Sequence, residues 1–84
     1  MIPVRVRVRY FAQLRERLGE GSDQGLRAGA TVASVWDAVL AEHPTLKSVP
    51  VRFAVNERYV KPTHRLADGD ELAVFPPVSG GSHP

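Results

Sequence analysis

The chain has no cysteine. That excludes disulfides, thiolate metal sites and a cysteine nucleophile. Aromatic residues are few, at 7% of the total. No apolar run approaches the roughly 20 residues of a membrane-spanning helix, so no membrane partner is expected. Neither sign of charge dominates: eleven Lys and Arg face nine Asp and Glu, a net +2. A nucleic-acid-binding domain usually carries a dense basic patch interleaved with aromatics, and no nucleic-acid partner is expected here. The opening "MIPVRVRVRY" alternates charge with apolar residues and lacks the continuous apolar stretch of a secretory signal, which points to a cytoplasmic protein. What remains is 84 residues, 43% of them hydrophobic, enough for one small packed domain.

Val4, Val6, Val8 and Tyr10 alternate with Arg5, Arg7 and Arg9, the period of a half-buried strand. "FAQLRERLG" reads as a short helical turn stopped by Gly19, followed by a loop through "EGSDQG". "GLRAG" is expected to be a second strand, hairpin-paired with the first. Thr31 can cap the main helix, along which Val32, Val35, Trp36, Val39 and Leu40 recur at helical spacing until Pro44. Trp36 lies on this apolar stripe and is assigned to the core rather than to ligand stacking. "VRFAVN" is a strand that turns back at Asn56 and Glu57, and Asp68–Gly69 turns into a last strand from Glu71 to Phe75.

The order is strand, strand, helix, strand, short strand, strand. It predicts an α+β β-grasp (ubiquitin-like) roll, with one mixed sheet and one main helix. The expected core is Val4, Val6, Val8, Val35, Trp36, Val39, Phe53, Val55, Leu72 and Val74. Alternation then leaves Phe75 on the outward face. The domain is read as residues 1–79, ending in an extended arm, with the diglycine and a three-residue extension at 80–84.

Little in the chain can carry catalysis. His43, His64 and His83 are far apart, and no pair has metal-ligand spacing. Asp68, Asp70 and Glu71 lack the ligand spacing of a calcium loop and fit turn chemistry better. There is no phosphate-binding glycine motif and no recognisable serine triad. No bound cofactor or metal is expected.

The end, "FPPVSGGSHP", is different. Pro76 and Pro77 hold the chain extended and cannot continue a ladder. Gly80 and Gly81 have no Cβ, so they suit a channel too narrow for other residues. Composition alone favours an ordinary frayed terminus. The strings "VRYFAQLRERLG" and "LADGDELAVFPPVSGG", however, resemble the two ends of the small subunits of molybdopterin synthase, ubiquitin-like sulfur carriers of the MoaD/ThiS family. The resemblance runs from residue 4 to 81 and is most specific over 66–81.

That resemblance implies a carrier, the non-catalytic subunit of a sulfurtransferase complex. An E1-like activating enzyme consumes ATP to adenylate the terminal glycine carboxylate, and a sulfur donor converts it to a thiocarboxylate. The synthase large subunit, in a heterotetramer, takes in the tail, and two such sulfurs build the dithiolene of molybdopterin in molybdenum cofactor biosynthesis. Gly81 would carry the sulfur and Gly80 would give the slim approach. Phe75, Pro76, Pro77, Val78 and Ser79 would contact the partner, helped by exposed arginines.

One departure from the family pattern matters. The chain runs on through Ser82, His83 and Pro84, and a Gly81–Ser82 amide offers no carboxylate to adenylate. The expectation is that this extension is cut away before sulfur is accepted. Other readings stay open on the residues alone. These are a sulfur carrier for thiamin, cysteine or tRNA thiolation, a ubiquitin-like protein modifier, or a β-grasp binding module touching RNA through Arg5, Arg7 and Arg9.

Overall fold

The computed structural model describes residues 3–77. Five strands form one mixed sheet: β1 (Val4–Tyr10), β2 (Gly21–Leu26), β3 (Arg52–Val55), β4 (Arg58–Val60) and β5 (Glu71–Phe75). Their spatial order is β2-β1-β5-β3-β4. The central pair, β1 and β5, is parallel, and all other pairs are antiparallel. Two helices, α1 (Ala12–Leu18) and α2 (Val32–Glu42), and a short 3-10 turn at Pro44–Ser48 complete the domain. This is the β-grasp roll.

The valine–arginine alternation of β1 divides the sheet as its period requires. Val6, Val8 and Tyr10 are buried, while Arg5, Arg7 and Arg9 are exposed. Leu72 and Val74 of β5 and Phe53 and Val55 of β3 join the same inner layer. Against it α2 lays Val32, Val35 and Trp36, the last edge-on to Phe53 with ring centroids 6.3 Å apart. Leu14, Leu46 and Leu66 close the ends of this core. Two expected core residues, Val4 and Val39, are only partly buried. Val4 opens β1 three residues before its pairing with β5 begins at Arg7, and Val39 opens the last turn of α2.

Thr31 caps α2 as its sequence suggests. Its Oγ1 accepts from the Ser34 amide at 3.2 Å, and the Ser34 hydroxyl accepts from the Thr31 amide at 3.0 Å. This reciprocal pair satisfies donors left free at the first turn. The helix stops at Glu42, and Pro44 opens the 3-10 turn.

The second strand departs from the expectation. It occupies Gly21–Leu26, so the stretch read as loop is itself paired to β1, with Arg7 opposite Asp23 and Arg9 opposite Gly21. "GSDQG" has no β-branched residue, and what selects the strand is the free edge of β1, a tertiary cause that overrides propensity. Gly21 is obligatory there. Its φ is +122°, and a Cβ at this position would overlap the Val8 carbonyl.

Candidate functional site

The aspartate-rich turn before β5 determines where the C-terminal arm begins. Asp68 Oδ1 accepts from the Arg5 amide at 2.8 Å, and the Gly69 amide donates back to the Arg5 carbonyl at 2.8 Å. Asp70 receives the Ala67 amide at 2.8 Å on one oxygen and Asn56 Nδ2 at 2.9 Å on the other. Asn56 also accepts from the Glu71 amide at 3.0 Å. The β3–β4 turn thus grips the start of β5. Its two central residues, Asn56 and Glu57, have φ of 51° and 71°, the geometry of a tight two-residue hairpin. The acidic cluster is therefore a structural clamp that fixes the start of β5.

The sheet has an outer face on the side away from α2. The outer face carries Arg5, Arg7 and Arg9 from β1, Glu71, Ala73 and Phe75 from β5, Arg52 and Ala54 from β3, and Tyr59 from β4. The cross-strand pairs Arg52–Phe75, Ala54–Ala73 and Ala54–Tyr59 set this arrangement. The two small alanines leave a shallow floor beside which the aromatics stand. Tyr59 and Phe75 rings meet at 5.8 Å, and Tyr59 remains 79% exposed. Phe11 follows buried Tyr10, is 41% exposed, and donates its amide to the Val74 carbonyl at 3.2 Å. Three aromatic residues therefore surround the last strand where it becomes the arm. Pro76 and Pro77 emerge half-buried beside them.

Phe75 is outward, as alternation predicts, but not free-standing: it is half-buried against Tyr59. The expected exposed arginines are also less available than their alternation suggests. Arg7 meets Asp23 at 3.0 Å, and Arg9 meets Glu71 at 3.2 Å while lying 5.9 Å from the Phe11 ring centroid. The hydrogen bond and charge of Asp23 push the Arg7 pKa up. Val78, Ser79, Gly80 and Gly81 lie outside the described residues. Tyr59 and Phe11 were not singled out by sequence, although alternation with inward Val60 and Tyr10 was the available signal.

Burial raises the Tyr10 pKa, with a smaller contribution from the charge of Glu42. Among the described residues no charged side chain is buried, and no group of three or more His, Cys, Asp or Glu is placed to hold a metal. None of their helices is long and apolar enough to cross a membrane. Among the described residues the geometry defines a β-grasp body with three aromatic residues near the end of β5, where Pro76 and Pro77 follow.

Comparison with known proteins places the chain within that class. Residues 8–81 match the ThiS family, and the chain belongs to it. The molybdopterin synthase sulfur carrier subunit of Chlamydomonas reinhardtii is 40% identical over 93% of this chain and 100% of its own length. That of Escherichia coli is 35% identical over 90% and 99%. Among solved structures, a putative molybdopterin converting factor subunit 1 from Pyrococcus furiosus aligns with a TM-score of 0.79 at 35% identity, covering 89% of this chain and 99% of its own. The small archaeal modifier protein 1 of H. volcanii aligns at 0.75 and 30% identity over 89% and 99%. A complex of subunits 1 and 2 of the molybdopterin-converting factor from Helicobacter pylori aligns at 0.60 and 27% identity over 93% and 100%.

Proposed function

We propose that this chain is the ubiquitin-like sulfur carrier subunit of a molybdopterin synthase. The observation that carries the reading is the family match, which runs through a clamped β5 and the two prolines after Phe75 and ends on Gly81 of the sequence. The chemistry needs no catalytic group from this chain. A carboxylate resists nucleophiles until one oxygen becomes part of a good leaving group. An activating partner joins the Gly81 carboxylate to the α-phosphate of ATP and releases pyrophosphate. A sulfur donor then displaces AMP, leaving a thiocarboxylate whose sulfur the synthase large subunit uses. The β-grasp body supplies orientation and docking, with Phe11, Tyr59 and Phe75 as apolar contacts for that subunit.

In this chain Gly81 is joined to Ser82. The reading therefore requires hydrolysis of that peptide bond, with water supplying the new carboxylate oxygen and Ser82 leaving as an amine. The amide's resonance makes this slow without a peptidase. The test is to mix the matching activating enzyme, ATP and a sulfur donor with a chain ending at Gly81 and, separately, with the chain extending to Pro84. Intact mass should show oxygen replaced by sulfur only in the shortened chain. Equal support of molybdopterin synthesis by extended protein of verified intact mass refutes the requirement for cleavage.

A second reading is supported by the likeness to the archaeal modifier. There the same activated glycine would be passed to a lysine amine, forming an isopeptide bond. Incubation with a lysine-bearing lysate and with the large subunit separates the two, because only a modifier yields conjugates of higher mass.

A further inference from the structure

The ion pairs distribute the chain's charge unevenly over its surface. Arg7, Arg9 and Arg15 are neutralised by Asp23, Glu71 and Glu20 at 3.0, 3.2 and 2.9 Å. Residues 43–67 hold five cations, Lys47, Arg52, Arg58, Lys61 and Arg65, against one carboxylate, Glu57. The rest of the chain holds six cations against eight carboxylates. All five cations are exposed, and among the described residues none of them has an ion-pair partner. The small net charge thus hides a basic end on an otherwise slightly acidic body.

Four of these cations line two clefts that flank β4. One, of about 260 Å³, is bordered by Arg52, Tyr59 and Lys61 over Phe53 and Val60. The other, of about 470 Å³, is bordered by Arg58, His64 and Arg65 and also reaches Val60. Asp70 is the one carboxylate on the second cleft, and its oxygens are already taken by Asn56 and Ala67. Tyr59 belongs both to the first cleft and to the aromatic rim around the arm. The first cleft, with Arg52 and Lys61, is therefore continuous with the docking face, whereas the second lies on the side of β4 that Val60 faces.

We infer that the β4 end is an electrostatic steering surface for an acidic patch on the large subunit that receives the arm. The inference rests on the sulfur-carrier reading above. Short strands and exposed cations can also simply protect a sheet edge from unwanted pairing. Edge protection alone, however, would not alter the rate at which a particular partner arrives. A basic surface beside the aromatic contacts orients an acidic partner before the aromatics engage, so its effect belongs to association. The aromatics then act mainly on dissociation.

The test is stopped-flow association of the chain ending at Gly81 with the large subunit at several salt concentrations. Arg52→Glu/Lys61→Glu, which reverses the cations sharing a cleft with Tyr59, should lower the association rate constant by about tenfold or more at low salt and flatten its salt dependence. Dissociation should change by no more than about threefold. Arg17→Glu/Arg27→Glu makes the same change in net charge elsewhere on the body and should leave association within about twofold of the parent. Circular dichroism checks that both variants fold. Parental association in the first variant, or an equal loss in the second, overturns local steering. Tyr59→Ala separates this from the function itself. If it accelerates dissociation while the reversals do nothing, the carrier reading stands and steering falls. If the parent forms no complex at any salt concentration, the carrier reading fails and steering falls with it.

Discussion

Tyr59→Ala tests the docking face most directly, because Tyr59 is the most exposed large apolar side chain among the described residues, at 79%. An aromatic side chain buries roughly 200 Å² when fully covered. About four-fifths of that is open to a partner, and at about 25 cal/mol per Å² this corresponds to about 4 kcal/mol of gross burial. Ordering and imperfect desolvation consume part of the gain, leaving about 2 kcal/mol, the range of a central interface anchor. The dissociation constant for the large subunit should rise about thirtyfold. The free protein loses chiefly the 5.8 Å contact with Phe75, worth about 1 kcal/mol, so its Tm should fall by only about 4–8 °C. Phe75→Ala should also weaken binding about thirtyfold, but the double variant should lose less than the sum because the rings touch. Titration calorimetry and thermal melting measure both quantities. A dissociation constant within about twofold of the parent would remove Tyr59 from the interface.

Gly21→Ala should cost about 3 kcal/mol or more, because its Cβ would overlap the Val8 carbonyl in a backbone region hostile to side chains; a parental denaturant midpoint would contradict the β1–β2 register. Tyr10 has a folded-state pKa raised above the ordinary 10.0, so the unfolded chain releases this proton first. Its stabilising effect is complete below about pH 10 and is lost as pH rises through the folded pKa. Melting scans above pH 10 should therefore show a steeper alkaline loss in the parent than in Tyr10→Phe, and superimposable slopes would exclude the effect. Gly81→Ala in the chain ending at residue 81 should fold normally but gain sulfur slowly, since a methyl group obstructs a narrow channel; parental thiocarboxylate yield by mass spectrometry would refute the steric argument.

The valine–arginine alternation, the Thr31 cap, the Asp68–Gly69 turn and the aromatic-proline-glycine ending were each legible from the sequence, because each follows from a local period or a local steric preference. These determined the β-grasp element order, the inner face of β1 and β5, and the candidate arm. Other features were decided only by tertiary contact. "GSDQG" became a strand because the edge of β1 was there to pair with it, and Phe75 came to lean on Tyr59 because β3 carries β4 to its side of the sheet. The three arginines of β1 looked equally free along the chain. Yet Asp23 and Glu71, 16 and 62 residues away, neutralise Arg7 and Arg9 and leave the basic character at β4. A charge is cancelled by whatever lies within a few ångströms of it, and that neighbour is chosen by the fold.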